Sequence, residues 1–289
     1  MSERLFFVGP GRAGLALGYA LWQTEMVDSL TYCGRQPEPP AHPLFIQGKA
    51  RYVFGLEAPE RDTTGVFLSV PDEVLPEISM VLAAHGKAPP GCVAFHLSGA
   101  LGTDPLAPLV ERGYSVGTLH PLQTLADPVR GAELLPGSYF AISGEPAALA
   151  TGRRLLHHLG CPTLSVPVAR RPLYHAAAVF ASNFISGLVG AAGRMMSQAG
   201  VEEDEALQAL IPLARGTLDN LERLGPGRAL TGPVARGDLE TVRLHLRTLE
   251  PRERRLYAAI GREILGLARE GGLEEEVAEE LQQLFEERP

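Results

Sequence analysis

Up to about residue 168, short apolar runs of strand length alternate with stretches of helical period. The strand-like runs are 5–8, 29–33, 51–54, 66–70, 93–97, 116–119, 139–142 and 163–166. Between them, 13–25, 73–85 and 146–159 repeat apolar residues at helical spacing, with Leu17, Leu21 and Trp22 near one face of the first. The proline-rich stretch 36–43 reads as a loop. Strands alternating with helices predict a mostly parallel sheet covered on both faces. Beyond Pro172 the strand signals stop, and helical periods follow at 173–199, 203–224, 238–249, 251–270 and 273–287. The expected architecture is an α/β domain over 1–168 and an all-α domain over 169–289, with the boundary at 167–172. The helix over 173–199 is rich in Ala, Gly and Ser, and it carries His175, Ser182 and Asn183. Small side chains let neighbouring helices approach closely, and polar ones argue against lipid, so this helix is expected to be buried all round in a protein core. The acidic residues of 274–280 read as a solvated helix face.

The turn after the first strand, Gly9-Pro10-Gly11-Arg12-Ala13-Gly14, has a G-x-G-x-x-G spacing and opens a helix. Gly9 permits a tight turn, Gly11 lets the backbone approach a pyrophosphate, and Gly14 lets the helix pack close to the strand. The helix N-terminus offers free N–H groups and a positive dipole end to phosphates. Together these features predict a Rossmann-type dinucleotide-binding domain. About 20 residues past the turn, an NAD site usually has a carboxylate for the ribose 2′-hydroxyl. Here the sequence has Gly34-Arg35, with an arginine suited to a 2′-phosphate, so NADP is expected over NAD. Arg12 can add to this preference. Val70 and Pro71, at the exit of the fourth strand, are expected beside the cofactor, because ligands bind outside the carboxyl ends of such strands.

Charge narrows the partners. Lys and Arg total 26 against 34 Asp and Glu, a net charge of -8. Such a surface repels a nucleic acid backbone, so no nucleic-acid partner is expected. No apolar run is expected to span a membrane, and the first strand begins too early for a signal peptide. Three cysteines, Cys33, Cys92 and Cys161, match no metal spacing and read as reduced thiols in a cytoplasmic protein. Lys49 and Lys87 are the only lysines.

Four further stretches carry a family resemblance: His96-Leu97-Ser98-Gly99-Ala100, Gly117-Thr118-Leu119-His120-Pro121-Leu122-Gln123-Thr124, the run from Tyr174-His175 to Ser182-Asn183, and Leu230-Thr231-Gly232-Pro233 with Arg236-Gly237-Asp238. They resemble the Rossmann-like proteins with a C-terminal domain of unknown function 2520. That fold is similar to those of prephenate dehydrogenases, ketopantoate reductases, pyrroline-5-carboxylate reductases and 6-phosphogluconate dehydrogenases. The resemblance implies hydride transfer between NAD(P) and a small substrate bound between the domains, and a homodimer formed through the helical domain.

Several of those enzymes use a lysine on the first long helix of the second domain. No lysine follows Lys87, so that chemistry is excluded, and His175 stands near the corresponding place. On an unbroken helix, Ser182 lies about 20° from His175 and Asn183 about 80°. Prephenate dehydrogenases carry a His-Pro and a serine in positions similar to His120-Pro121 and Ser98. Histidine exchanges protons near neutral pH, so His120 or His175 is the expected acid/base, with Ser98 and Asn183 orienting the substrate. Gln123, Ser182 and Thr231 are candidate substrate contacts. Arg236 is a candidate clamp for a carboxylate or phosphate. The alternative to an NADP-dependent oxidoreductase is a sensor or scaffold that binds NADP(H) without turnover.

Overall fold

The computed structural model describes residues 2–286. The chain forms two compact units, the first ending at Ser182 and the second beginning at Asn183. The first contains, in order, β1 (Glu3–Val8), α1 (Arg12–Gln23), β2 (Val27–Gly34), α2 (Pro43–Ile46), β3 (Arg51–Phe54), β4 (Gly65–Leu68), α3 (Leu75–Ala84) and β5 (Val93–His96). It continues with α4 (Ala107–Val110), β6 (Ser115–Pro121), α5 (Pro128–Leu134), β7 (Phe140–Gly144), α6 (Pro146–His158), β8 (Thr163–Ser165) and α7 (Arg171–Ala181).

The eight expected strands form one sheet in the order β3-β2-β1-β4-β5-β6-β7-β8. Every neighbouring pair is parallel except β6 and β7. This is a Rossmann-type sheet, and its order reverses direction between β1 and β4. Aromatic rings fix the register across its centre. Phe7 pairs with Tyr32 on one side and Phe67 on the other, and Phe67 pairs with Phe95. Their rings stack at centroid distances of 4.7, 4.7 and 5.3 Å. The ladder ends at Gly117 on β6, where an added Cβ would lie 2.9 Å from the Phe95 ring. These rings join Leu17, Leu21 and Leu155 in one core, while Phe6, Val66, Leu75 and Leu109 form the other. Both faces are therefore covered.

Three details differ from expectation. β4 stops at Leu68, so Val70 lies in the following loop. Ser69 turns the chain there by donating its hydroxyl to the Gly9 carbonyl at 2.5 Å. The short helices α2, α4 and α5 lay in segments that carry proline. Each has that proline in its first turn, where the missing N–H costs nothing. The strands end near residue 168 as expected, but the packing divides one helix later, after α7.

The second unit contains α8 (Asn183–Gln198), α9 (Glu203–Leu224), α10 (Pro226–Ala229), α11 (Pro233–Arg236), α12 (Leu239–Thr248), α13 (Pro251–Glu270) and α14 (Glu275–Glu286). Its core gathers Val234, Val242, Leu265, Leu281 and Phe285, while the acidic residues of α14 face outward. The expected end of that last helix, Glu287, lies outside the described residues.

The expected single helix over 173–199 is broken at Ser182, whose hydroxyl donates to the Ala178 carbonyl at 2.9 Å. Such back-bonding bends helices. The expectation of all-round burial is also corrected. In α7 and α8 only Arg171 and Ala191 are buried, and Leu173 is 67% exposed. Periodicity and small residues reveal an apolar surface, but not whether the same chain covers it. By length and composition alone the helical stretch Val168–Gln198 is long and apolar enough to cross a membrane.

Removing a ring from the middle of the ladder leaves a cavity between two others. Phe67→Ala is expected to destabilise the protein by about 3–5 kcal/mol, read from the urea unfolding midpoint.

Candidate active site

The carboxyl ends of the central strands lie next to one another and carry the chemistry. Gly9 follows β1 with φ of 93°, a conformation that favours glycine. A Cβ there would sit 2.8 Å from the Ser69 carbonyl oxygen, and one at Gly14 would collide with the Ser69 side chain. The glycine turn is thus pressed against the exit of β4. α1 starts from Gly11 with no side-chain cap and no acidic residue in its first turn. Its N–H groups and positive dipole end fit a phosphate. Gly34, at the end of β2, packs against Pro10, and Arg35 next to it is exposed. Arg12, the first residue of α1, is also exposed. The residues present therefore fit a dinucleotide.

From β4 the row continues to β5. Asp72 accepts a hydrogen bond from the Ser98 hydroxyl at 2.7 Å. Ser98 also accepts from the N–H groups of Ala100 and Leu101 at 3.3 and 3.2 Å. Its hydroxyl therefore fastens two loops together. His96 is fully buried and accepts from the Ser98 N–H through Nδ1. This leaves Nε2–H to donate to the Gly102 carbonyl, at 2.6 Å. Burial holds its pKa below the usual histidine value.

The two expected histidines meet. The rings of His120, at the end of β6, and His175, on α7, have centroids 6.0 Å apart. Gly99 lies between them and the backbone of the β5 exit. A Cβ there would be 2.6 Å from Nε2 of His120 and 2.7 Å from Cδ2 of His175. Sequence reasoning missed the partner of His120. Tyr174 shares a hydrogen bond of 2.9 Å between its hydroxyl and Nδ1 of His120. Burial first, then the neighbouring His175 and Arg171, push the His120 pKa down to about 4. Burial raises that of Tyr174, with Arg171 acting against it. At neutral pH both partners are uncharged.

Arg171 lies within the expected boundary segment 167–172, yet it is fully buried. Its guanidinium donates to the Ser98 carbonyl at 3.3 Å and to the Thr118 hydroxyl. Its Nε has no hydrogen-bond partner among the described residues, and no carboxylate pairs with it there. The spacing 171, 174, 175 is the sequence signal for this group, because residues three and four apart share a helix face.

Other expected contacts have different settings. Gln123 braces its own loop, donating to the Leu134 carbonyl and the Ser138 hydroxyl and accepting from Thr124. Ser182 marks the helix break. Asn183, Thr231 and Arg236 belong to the second unit, where all three are exposed.

A family model for a Rossmann-like domain matches residues 4–121, and one for a domain of unknown function (DUF2520) matches 138–264. The chain is a Rossmann-like protein with a DUF2520 domain. His120 comes from the first match, and Arg171, Tyr174 and His175 from the second. The DUF2520 match begins within the sheet, before β7, and not at the expected boundary. No curated protein matches the sequence. Among solved structures, a Bacteroides fragilis protein put forward as an NADP oxidoreductase is 22% identical, with a TM-score of 0.73 over 91% of this chain and 98% of its own. A Thermotoga maritima protein is 24% identical, with a TM-score of 0.62 over 95% and 98% of the two chains. Pyrroline carboxylate reductase from Plasmodium falciparum, with NADP bound, is 11% identical, with a TM-score of 0.62 over 98% of both chains. At these identities the likeness is one of fold.

The depressed pKa of His120 makes stability depend on acidity. Between pH 6.5 and about 4 the unfolded chain takes up a proton that the folded site refuses. Acidification through this window therefore removes stability, up to about 3 kcal/mol. His120→Asn is expected to flatten the pH dependence of unfolding there. A profile unchanged by that substitution would show that His120 titrates normally.

Proposed function

We propose that this protein is an NADP(H)-dependent oxidoreductase that transfers a hydride to or from a small, anionic carbonyl, imine or alcohol. The observation that carries the reading is the continuous row at the sheet edge. It leads from the uncapped helix N-terminus behind Gly9, through Ser69 and Asp72, to Ser98 and the His120–Tyr174 pair. NADP(H), when bound, supplies or accepts the hydride. Gly9, Gly11 and Gly14 admit its pyrophosphate, Val70 and Pro71 flank it, and Arg35, with Arg12 near the turn, pairs with the 2′-phosphate.

The chain's own groups handle the proton. His120 is neutral, so it acts through an N–H or a lone pair, not as a standing imidazolium. When Tyr174 donates to Nδ1, the ring proton sits on Nε2, on the side of Gly99. A substrate oxygen or nitrogen there accepts that hydrogen bond, and Tyr174 can restore a proton lost from the ring. The reverse sequence serves oxidation. His175 completes the polar lining. Arg171, buried without a carboxylate partner, supports the preference for an anionic substrate. The three cysteines are free and buried, which suits a reducing cytoplasm.

The test is NADPH oxidation against a panel of keto acids, imines and aldehydes. His120→Ala and Tyr174→Phe are each expected to lower kcat by about 10²-fold or more, with NADPH affinity kept. Unchanged turnover in His120→Ala and His175→Ala would sink the acid/base assignment. NADPH binding without turnover on any substrate would favour the sensor reading. Arg35→Asp is expected to weaken NADP(H) about tenfold to a hundredfold and to spare NAD(H). Equal weakening of both cofactors would reject the arginine's role.

The apolar surface of α8 and α9 supports a homodimer through the helical unit. Phe184 is 48% and Leu213 68% exposed. Sedimentation should show a dimer in detergent-free buffer, and Leu188→Glu with Leu213→Glu should dissociate it. A monomeric wild type that partitions into lipid vesicles would overturn this reading.

A further inference from the structure

The second unit holds a groove of about 670 Å³ on its α12–α13–α14 face. Five arginines line it: Arg243 and Arg247 from α12, and Arg254, Arg255 and Arg262 from α13. Glu286 is the one carboxylate among the described lining residues. This concentration of positive charge stands on a chain whose net charge is -8. Arg243 is paired, with Glu240 at 2.7 Å and Glu280 at 3.4 Å. Arg262 donates to the Phe285 carbonyl at 2.8 Å. Arg254 donates one Nη to the Leu249 carbonyl at 3.2 Å, and its Nε is buried with no hydrogen-bond partner. Arg247 and Arg255 are exposed and make no hydrogen bond or ion pair among the described residues. The charges of Arg247 and Arg255 have no ion-pair partner among the described residues, and a buried donor of Arg254 is left unpaired. Both cost free energy that a bound anion would recover.

We propose that this groove is a second anion site, which takes a small ligand carrying two or more phosphate groups. Guanidinium forks match phosphate oxygens bidentately and stay charged at any working pH. The volume falls in the range of small-molecule sites, and Leu246 and Leu284 supply an apolar wall for the rest of such a ligand. A long nucleic acid is disfavoured, because the chain's net charge of -8 repels an extended polyanion. The site is separate in sequence and in compact unit from the glycine turn. It does not rest on the oxidoreductase reading.

The test is calorimetric titration of the full chain with inorganic tripolyphosphate at about 0.15 M ionic strength, where loose surface attraction is screened. Binding at the glycine turn is told apart from binding in the groove because it survives substitution of the groove arginines. The expected result is saturable binding at one site per chain, weakened at least tenfold in Arg247→Ala with Arg255→Ala. Both positions are exposed, so the circular dichroism of the double variant should match the wild type. Arg247→Lys with Arg255→Lys keeps the charge but loses the fork, and should bind with intermediate affinity. Absence of saturable binding to the wild type, or equal binding to the wild type and the double alanine variant, would overturn the proposal. The comparison of variants is valid whether or not the glycine turn binds a dinucleotide.

Discussion

The stack of rings across β2, β1, β4 and β5 sets the level of the whole sheet edge. Tyr32, Phe7, Phe67 and Phe95 are register partners, and their rings lie on one face. A slip of one residue would send each ring to the opposite face, so the register is strongly specified. Because these four strands are level, their exits are level too. Gly9, Ser69 and Ser98 follow in the order of the strands, and Gly117 ends the ladder on β6, the strand that also carries His120. Adjacent strands are about 4.8 Å apart, so β1 to β6 spans roughly 14 Å along the edge. A packing constraint in the core thus decides which polar residues can act together at the surface.

Arg171 is the second determinant. A buried guanidinium without a carboxylate partner is expensive, and among the described residues this one is held by the Ser98 carbonyl and the Thr118 hydroxyl. Those bonds fix the start of α7 against β5 and β6, which in turn aims Tyr174 and His175 at His120. The same charge opposes protonation of His120 and lowers the cost of ionising Tyr174. Arg171 therefore fixes position, and it adds to burial and His175 in keeping His120 neutral. Asp72 acts in the opposite sense on His120, but it is more weakly felt than burial, His175 or Arg171.

What the sequence revealed follows from what periodicity and turn chemistry record. Strands such as 5–8 and 93–97 are continuous apolar runs because both faces of the sheet are covered, and this makes them visible. The glycine turn was visible because its spacing reflects close backbone approach. The short helices α2, α4 and α5 were hidden because a first-turn proline and a loop proline look alike. The break at Ser182 was hidden because a serine inside a helical pattern carries no mark of which backbone carbonyl its hydroxyl will meet. His120 and His175 could be nominated singly, but their meeting depends on Gly99, whose missing side chain is informative only once the strands are placed. Ser98 and Gln123 were nominated for their chemistry, and their hydrogen-bonding capacity is taken up by nearby loops. Arg171 and Tyr174 share a helix face with His175, and that periodic relation was the one legible sign of the group.

The scarcity of lysine connects these features. A lysine in the place of Arg171 would lose its proton readily when buried, whereas a guanidinium keeps its charge there. A charge that survives burial can bond a carbonyl and a hydroxyl at once and still add to the burial that keeps His120 neutral. The groove between α12 and α13 is likewise lined by arginines, whose charge does not depend on their surroundings. With no lysine after Lys87, the fold uses arginine where a buried positive charge must stay fixed. The charged Arg171 thus positions the helix, while the His120–Tyr174 pair beside it stays neutral.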